Sequence, residues 1–272
     1  MLILRKERMI TMPSNYAHYR FGAAVLTTLP ADIRRSIQRF RRLYDVGMHG
    51  PDLFYYHNPV TKNGTGTLGI RYHEITGKNF FTRVCRTIRM ERSEAAKAYL
   101  YGVLCHYVLD SCLHPSVREL CESTGATHME IETEFDRFLL ETDGKMPPNG
   151  QKLTKHLDLT EGECETVAKF YPPATGKTVR SALRSMVFFT KLLTAPEGIR
   201  RKMVEMGVGI LGKETKGVIL REKPNEKCTC ANAVLLEQYD RAMALLPEYL
   251  QQLQANMTYS APLEAEFEKP FG

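Results

Sequence analysis

Between positions 106 and 132 the chain reads His106-Tyr-Val-Leu-Asp110-Ser-Cys-Leu-His114-Pro115 and, after a short connection, His128-Met-Glu-Ile-Glu132. Side chains four apart on an α-helix differ in direction by about 40°, so each His-x-x-x-acid pair leaves one helical face and can grip one cation. A chain built around two such pairs has to be helical there. His114 lies four residues beyond Asp110, but Pro115 biases the residue before it out of the helical region, so the sequence predicts a bend that aims His114 at a neighbouring ion. His114, His128 and Glu132 would then form a three-ligand site with open positions, the pattern of a catalytic ion. Isolated buried histidines more commonly satisfy a hydrogen bond than bind metal. Asp110, however, sits among Val103, Leu104 and Leu109, and a buried carboxylate needs a cation beside it. Mixed imidazole and carboxylate donors favour zinc over magnesium or calcium.

The helical reading extends to the whole chain. A first helix is expected over 14–29 with Ser14 or Asn15 as cap, and a second from Asp32 to Leu43. Others are expected at 78–89, from Ser93 to about Cys112, and from His128 to about Glu141 behind the capping box Thr127-x-x-Glu130. Beyond the turn signals at 143–150, helices are expected near 160–170, 178–193, 198–208 and 231–254. No β-rich stretch appears. The fold class is therefore all-α, with 13–272 as a single multi-helical domain, the metal site within 13–141 and additional helices in 152–256. Residues 1–12 read as a disordered or non-native extension, because Met12-Pro13 offers a second start. The glycines and prolines of 47–72 mark that stretch as a long functional loop, opened by Asp52 and followed by His73.

Other chemistries fail on their letters. Gly64-x-Gly66-x-x-Gly69 has no preceding apolar strand, and Ala174-Thr-Gly-Lys-Thr178 lacks the first glycine of a phosphate loop because position 171 is Tyr. The residues three before His106, His114 and His128 are Val103, Ser111 and Gly125, so a di-iron carboxylate bundle is excluded. His73-Glu74 is followed by no second histidine at metalloprotease spacing. Seven cysteines lack a disulfide framework and read as reduced thiols, with Cys228-Thr-Cys230 too small a set for zinc. No apolar run is long enough to span a bilayer and no secretory signal is legible, so a cytoplasmic location is the expectation. The net charge of +6 and pI near 8.9 suit an anionic substrate or membrane surface without choosing between them.

Taken together, Tyr16-Ala-His18-Tyr19, Gly50-Pro-Asp52, His73-Glu74, His106-x-x-x-Asp110-x-x-x-His114-Pro115 and His128-x-x-x-Glu132 resemble the zinc-dependent phospholipase C family, within the superfamily that includes fungal single-strand nucleases. The resemblance runs over residues 13 to about 140. It implies an all-helical fold with two or three clustered zinc ions. By motif, Asp52, His73, His106 and Asp110 would hold one ion and His114, His128 and Glu132 a second, while Asp110 would bridge to a third that also takes His18. Secreted members complete that third site with an N-terminal tryptophan, and this chain contains no Trp. The implied activity is hydrolysis of a phospholipid head-group phosphodiester or another phosphodiester, with Asp52 taking a proton from water and possible contact with a membrane surface. Phe54, Tyr55 and Tyr56 could line a head-group pocket or simply pack, and His49 and His57 are not expected to be ligands. A nuclease or nucleotidase on the same metals, or a metal-binding protein without turnover, are the alternatives. Nucleic acid is the less favoured partner, because no interleaved basic-aromatic run is visible.

Overall fold

The computed structural model describes residues 15–57, 66–194, 196–211 and 217–271. The proposed extension at 1–12, the Ser14 cap and the Asn58 to Gly64 part of the expected loop lie outside these. Eleven α-helices follow in chain order among the described residues: α1 Tyr16–Thr28, α2 Ala31–Arg39, α3 Arg41–Gly47, α4 Gly66–Glu74, α5 Gly77–Glu91, α6 Glu94–Thr124, α7 His128–Thr142, α8 Glu161–Ala168, α9 Gly176–Leu193, α10 Ile199–Leu211 and α11 Thr229–Tyr259. The described residues include no strand beyond one isolated antiparallel bridge between Thr76 and Pro270. The all-α expectation is met.

Helix α6 is the axis. Ser93 accepts a hydrogen bond from the Ala96 amide at its start, and Gly125 closes it in the left-handed region at φ 66°. Both are favourable terminators. Its middle, from Ala96 to Leu113, is buried almost throughout, with α3 and α11 packed against it. Gly47 and Gly102 permit the closest crossing: a Cβ on Gly102 would lie 2.3 Å from the Tyr44 carbonyl oxygen. Around this axis one contiguous core runs from Tyr16 to Phe271, including Phe54, Tyr99, Phe135, Tyr171 and Leu253.

Four sequence expectations need correction. Pro115 lies inside α6 and does not end it. A mid-helix proline costs about 3 kcal/mol, which the burial of the preceding five turns outweighs, and His114 therefore stays on the helix. The stretch 47–72 is not merely loop, for a 3-10 helix spans Gly50–Tyr56 and α4 begins at Gly66. Gly69 allows close approach here, since its Cβ would meet Tyr55 at 3.0 Å. The expected helix from Asp32 to Leu43 is two helices broken at Phe40, where φ is −122° and ψ 40°, and Pro30 rather than Asp32 is the N-cap. Finally, Asn15 does not cap α1 with its own side chain. Asp136 of α7 does so from a distance, its carboxylate accepting from the amides of Asn15, Tyr16 and Ala17 at 3.0, 2.9 and 2.7 Å. That bond pins α1 to α7 one turn before His18.

Candidate metal centre

Five elements deliver the expected ligands to one place. His18 comes from α1, Asp52 from the 3-10 segment, His73 from the last turn of α4, and His106, Asp110 and His114 from successive turns of α6. His128 and Glu132 open α7 behind the Thr127/Glu130 capping box, which is formed as expected. Their donor atoms gather into three groups: Asp52, His73 and His106; His18, His106 and Asp110; and His114, His128 and Glu132.

His18 Nε2 lies 3.3 Å from Asp110 Oδ1, His106 Nε2 lies 3.1 Å from Asp110 Oδ2, and His114 Nε2 lies 3.7 Å from Asp110 Oδ1. His73 Nε2 is 2.8 Å from Asp52 Oδ1, and His106 Nδ1 is 3.9 Å from Asp52 Oδ2. Glu132 Oε1 is 2.9 Å from His128 Nε2 and 3.6 Å from His114 Nε2. Two donors on one tetrahedral zinc stand roughly 3.3 Å apart, given bond lengths near 2.0–2.1 Å. These spacings bracket that value.

The bonding pattern also asks for cations. His106 is fully buried, yet neither ring nitrogen has a hydrogen-bond partner, and Asp52 Oδ2 and His18 Nδ1 are likewise orphaned. His73 Nδ1 shares a 2.7 Å hydrogen bond with the Gly69 carbonyl. A carbonyl only accepts, so the proton is on Nδ1, and a neutral His73 turns a bare lone pair toward the Asp52 carboxylate. Such second-sphere bonding is what orients a metal-binding imidazole. The ion pairs of the three buried acids Asp52, Asp110 and Glu132 among the described residues are all with histidines.

Burial, reinforced by Asp52 and Glu132, pushes the Asp110 carboxyl well above the usual carboxylate range. Burial also lowers His18, His106 and His114. At the outer edge, His128 is raised and Glu132 lowered, their mutual attraction outweighing desolvation for both. Zinc needs deprotonated donors: burial favours that form at His18, His106 and His114, and a cation between the donors would favour the ionised form of Asp110 that burial alone opposes. Zinc bound by these residues fits the chemistry of the donors.

His49 and His57 join none of the three groups among the described residues. Phe54 and Tyr56 are core residues, whereas Tyr55 is half-buried with its ring 5.0 Å from that of His73. The sequence reading passed over His156. Its Nε2 hydrogen-bonds His49 Nε2 at 2.7 Å and its ring stacks on Tyr19 at 4.1 Å. No spacing pattern ties residue 156 to 49, so only the fold could reveal the pair. Burial holds His156 down to about 3 and His49 well below its ordinary value. The unfolded chain therefore binds more protons than the folded one as pH drops below about 6.5, and stability is lost from there down through the folded value. His156→Gln should accordingly be less stable than the parent at pH 7.5, with the gap narrowing at pH 5.5; equal gaps in thermal melts at the two pH values would refute this.

An all-helical body enclosing clustered imidazoles and carboxylates defines a class of candidate zinc-binding proteins. The match to known families narrows it: the zinc dependent phospholipase C family matches residues 17–171, more than half of the chain. The protein belongs to that family. No curated protein and no solved structure matches it. All eight proposed ligands fall within the matched span. The seven cysteines are free, and Cys228 and Cys230 enter none of the metal-competent groups among the described residues. No described helix is long and apolar enough to cross a membrane.

Proposed function

We propose that this protein hydrolyses phosphodiesters at a cluster of two or three zinc ions, with the head-group ester of a phospholipid, cut on the diacylglycerol side, as the substrate class. The observation that carries the reading is the gathering of three donor groups, one around each of the acids Asp52, Asp110 and Glu132, with both ring nitrogens of His106 and Asp52 Oδ2 lacking hydrogen-bond partners. Family membership supports it. Zinc held there would supply positive charge to the phosphate oxygens and acidify water.

The chain's own residues divide the remaining work. Asp52 Oδ1 lies 2.8 Å from His73 Nε2, a pair of donors that would share one ion, while Oδ2 has no hydrogen-bond partner. That oxygen is free to accept a proton from the attacking water as the ester oxygen leaves phosphorus. The Gly69 carbonyl holds His73 through Nδ1 and so fixes the Nε2 lone pair toward Asp52. His128 is the most open ligand, its side chain 35% exposed against 0–15% for the other paired histidines. Substrate thus approaches from the α7 end.

Zinc-loaded protein assayed against phosphatidylcholine, a chromogenic phosphodiester and single-stranded DNA tests the reading, with Asp52→Asn as background. Loss of the carboxylate should lower turnover by about 10²–10⁴. Activity on the DNA alone would transfer the site to nuclease chemistry. Turnover equal to that of Asp52→Asn on all three would leave a metal-binding protein without catalysis.

A further inference from the structure

Helix α10 is apolar on two opposite sides, and only one of them serves the fold. Its inner side places Val204 in a small core with Met129, Leu193, Val218 and Ile219. Arg201, fully buried, clamps the same side by donating to the carbonyls of Leu193 and Leu220 at 3.4 and 3.0 Å and to Glu205 at 3.2 Å. On the outer side Ile199, Met203 and Met206 are 82%, 63% and 67% exposed. Their spacing of four and three residues puts all three within about 60° of arc. Most of their apolar surface faces solvent.

The preceding helix adds charge of one sign. Lys177, Arg184 and Lys191 are exposed at seven-residue intervals on α9, so they share a face, and α9 contains no acidic residue. Phe188, 59% exposed, stands among them, four residues beyond Arg184. Lys202 is exposed beside the apolar arc of α10. Cations interleaved with outward Phe, Ile and Met side chains match an interface of acyl chains beneath anionic head groups.

The inner sides of both helices reach toward the metal centre. Met129, against which α10 packs, follows His128, the most open ligand. Helix α9 lies on the 3-10 segment carrying Asp52, with Phe189 6.5 Å from Tyr56 and Thr190 bonded to Asn15.

We infer that the outward faces of α9 and α10 form a docking surface for an anionic phospholipid bilayer, which presents ester substrate to the mouth at His128. The inference rests on the hydrolase reading only in taking the substrate to arrive in a bilayer. Full-length zinc-loaded protein should cosediment with vesicles of phosphatidylcholine mixed with phosphatidylglycerol, more weakly with phosphatidylcholine alone, and less at high salt. Met203→Gln with Met206→Gln should weaken binding to both vesicles by about tenfold. Arg184→Gln with Lys191→Gln should weaken binding to the anionic vesicles alone by about tenfold or more. Both pairs should hydrolyse a soluble chromogenic phosphodiester as the parent does. Unchanged vesicle binding in both double variants would overturn the docking surface. So would a dimer in solution that the methionine substitutions dissociate, or binding of single-stranded DNA in place of vesicles. Vesicle binding that responds to the substitutions without any phosphodiester turnover would keep the surface and sink the hydrolase reading.

Discussion

Asp110→Asn is expected to cost the chain one of its two or three zinc ions and to lower kcat/KM by about 10³ or more, while making the metal-free protein more stable. The opposite signs follow from one position. Asp110 stands within 3.1–3.7 Å of His18, His106 and His114, so a single carboxylate serves imidazoles from two helices. Asparagine preserves the shape but removes the charge and turns amide protons toward lone pairs. The groups Asp52, His73, His106 and His114, His128, Glu132 keep their own acids and should still bind their ions. Loss of several kcal/mol of charge stabilisation at the phosphate corresponds to the stated drop in rate. Without metal the arithmetic reverses. Asp110 is then a buried acid beside Asp52 and Glu132, held well above its ordinary range, so its ionised form destabilises the fold at neutral pH. Elemental analysis and thermal melts in chelator measure the two effects separately. Full zinc occupancy in the variant, or a lower melting temperature than the parent in chelator, would show that Asp110 is not the shared acid.

The contrast between what the letters revealed and what they hid has a physical basis. His128 and Glu132, like His106 and Asp110, are one helical turn apart, and helical geometry is local, so their pairing was legible. The Thr127/Glu130 box was legible for the same reason, as its two hydrogen bonds close within four residues. His18, Asp52 and His73 could be assigned only by resemblance, because nothing in their own neighbourhoods requires them to meet α6. Three of the four failures are cases where tertiary contact overrode a local rule. Gly69 punctuates the sequence like a loop but serves as a close-packing position against the 3-10 segment. Pro115 breaks an isolated helix, not one already buried for five turns. The cap of α1 comes from Asp136, more than a hundred residues away, and no reading of residues 14–18 could have found it. The eighth histidine, His156, belongs to the same set: its partner His49 is reached only through the fold.

Gly50 supports the centre without touching a metal, and Gly50→Ala is expected to disable it. The residue sits at φ 46°, in the left-handed region where an alanine costs about 1 kcal/mol or more. The second penalty is steric. An added Cβ would lie 2.4 Å from His106 Cδ2 and 2.9 Å from both Cγ and Nε2 of the same ring. His106 has little room to retreat, being fully buried between the His18 ring at 4.6 Å and Phe271 at 6.2 Å. It also contributes to two of the three donor groups. Strain and displacement together should destabilise the protein by about 2 kcal/mol or more, and a shift of the ring by about 1 Å should cost about 10² in kcat/KM. Gly50→Asn separates the two causes, since asparagine tolerates the left-handed region yet carries the same Cβ. If the collision dominates, asparagine should be no better than alanine in zinc affinity and rate. If conformation dominates, asparagine should recover most of the stability. An alanine variant that melts and turns over like the parent would mean that the ring of His106 is not held where Gly50 leaves space for it.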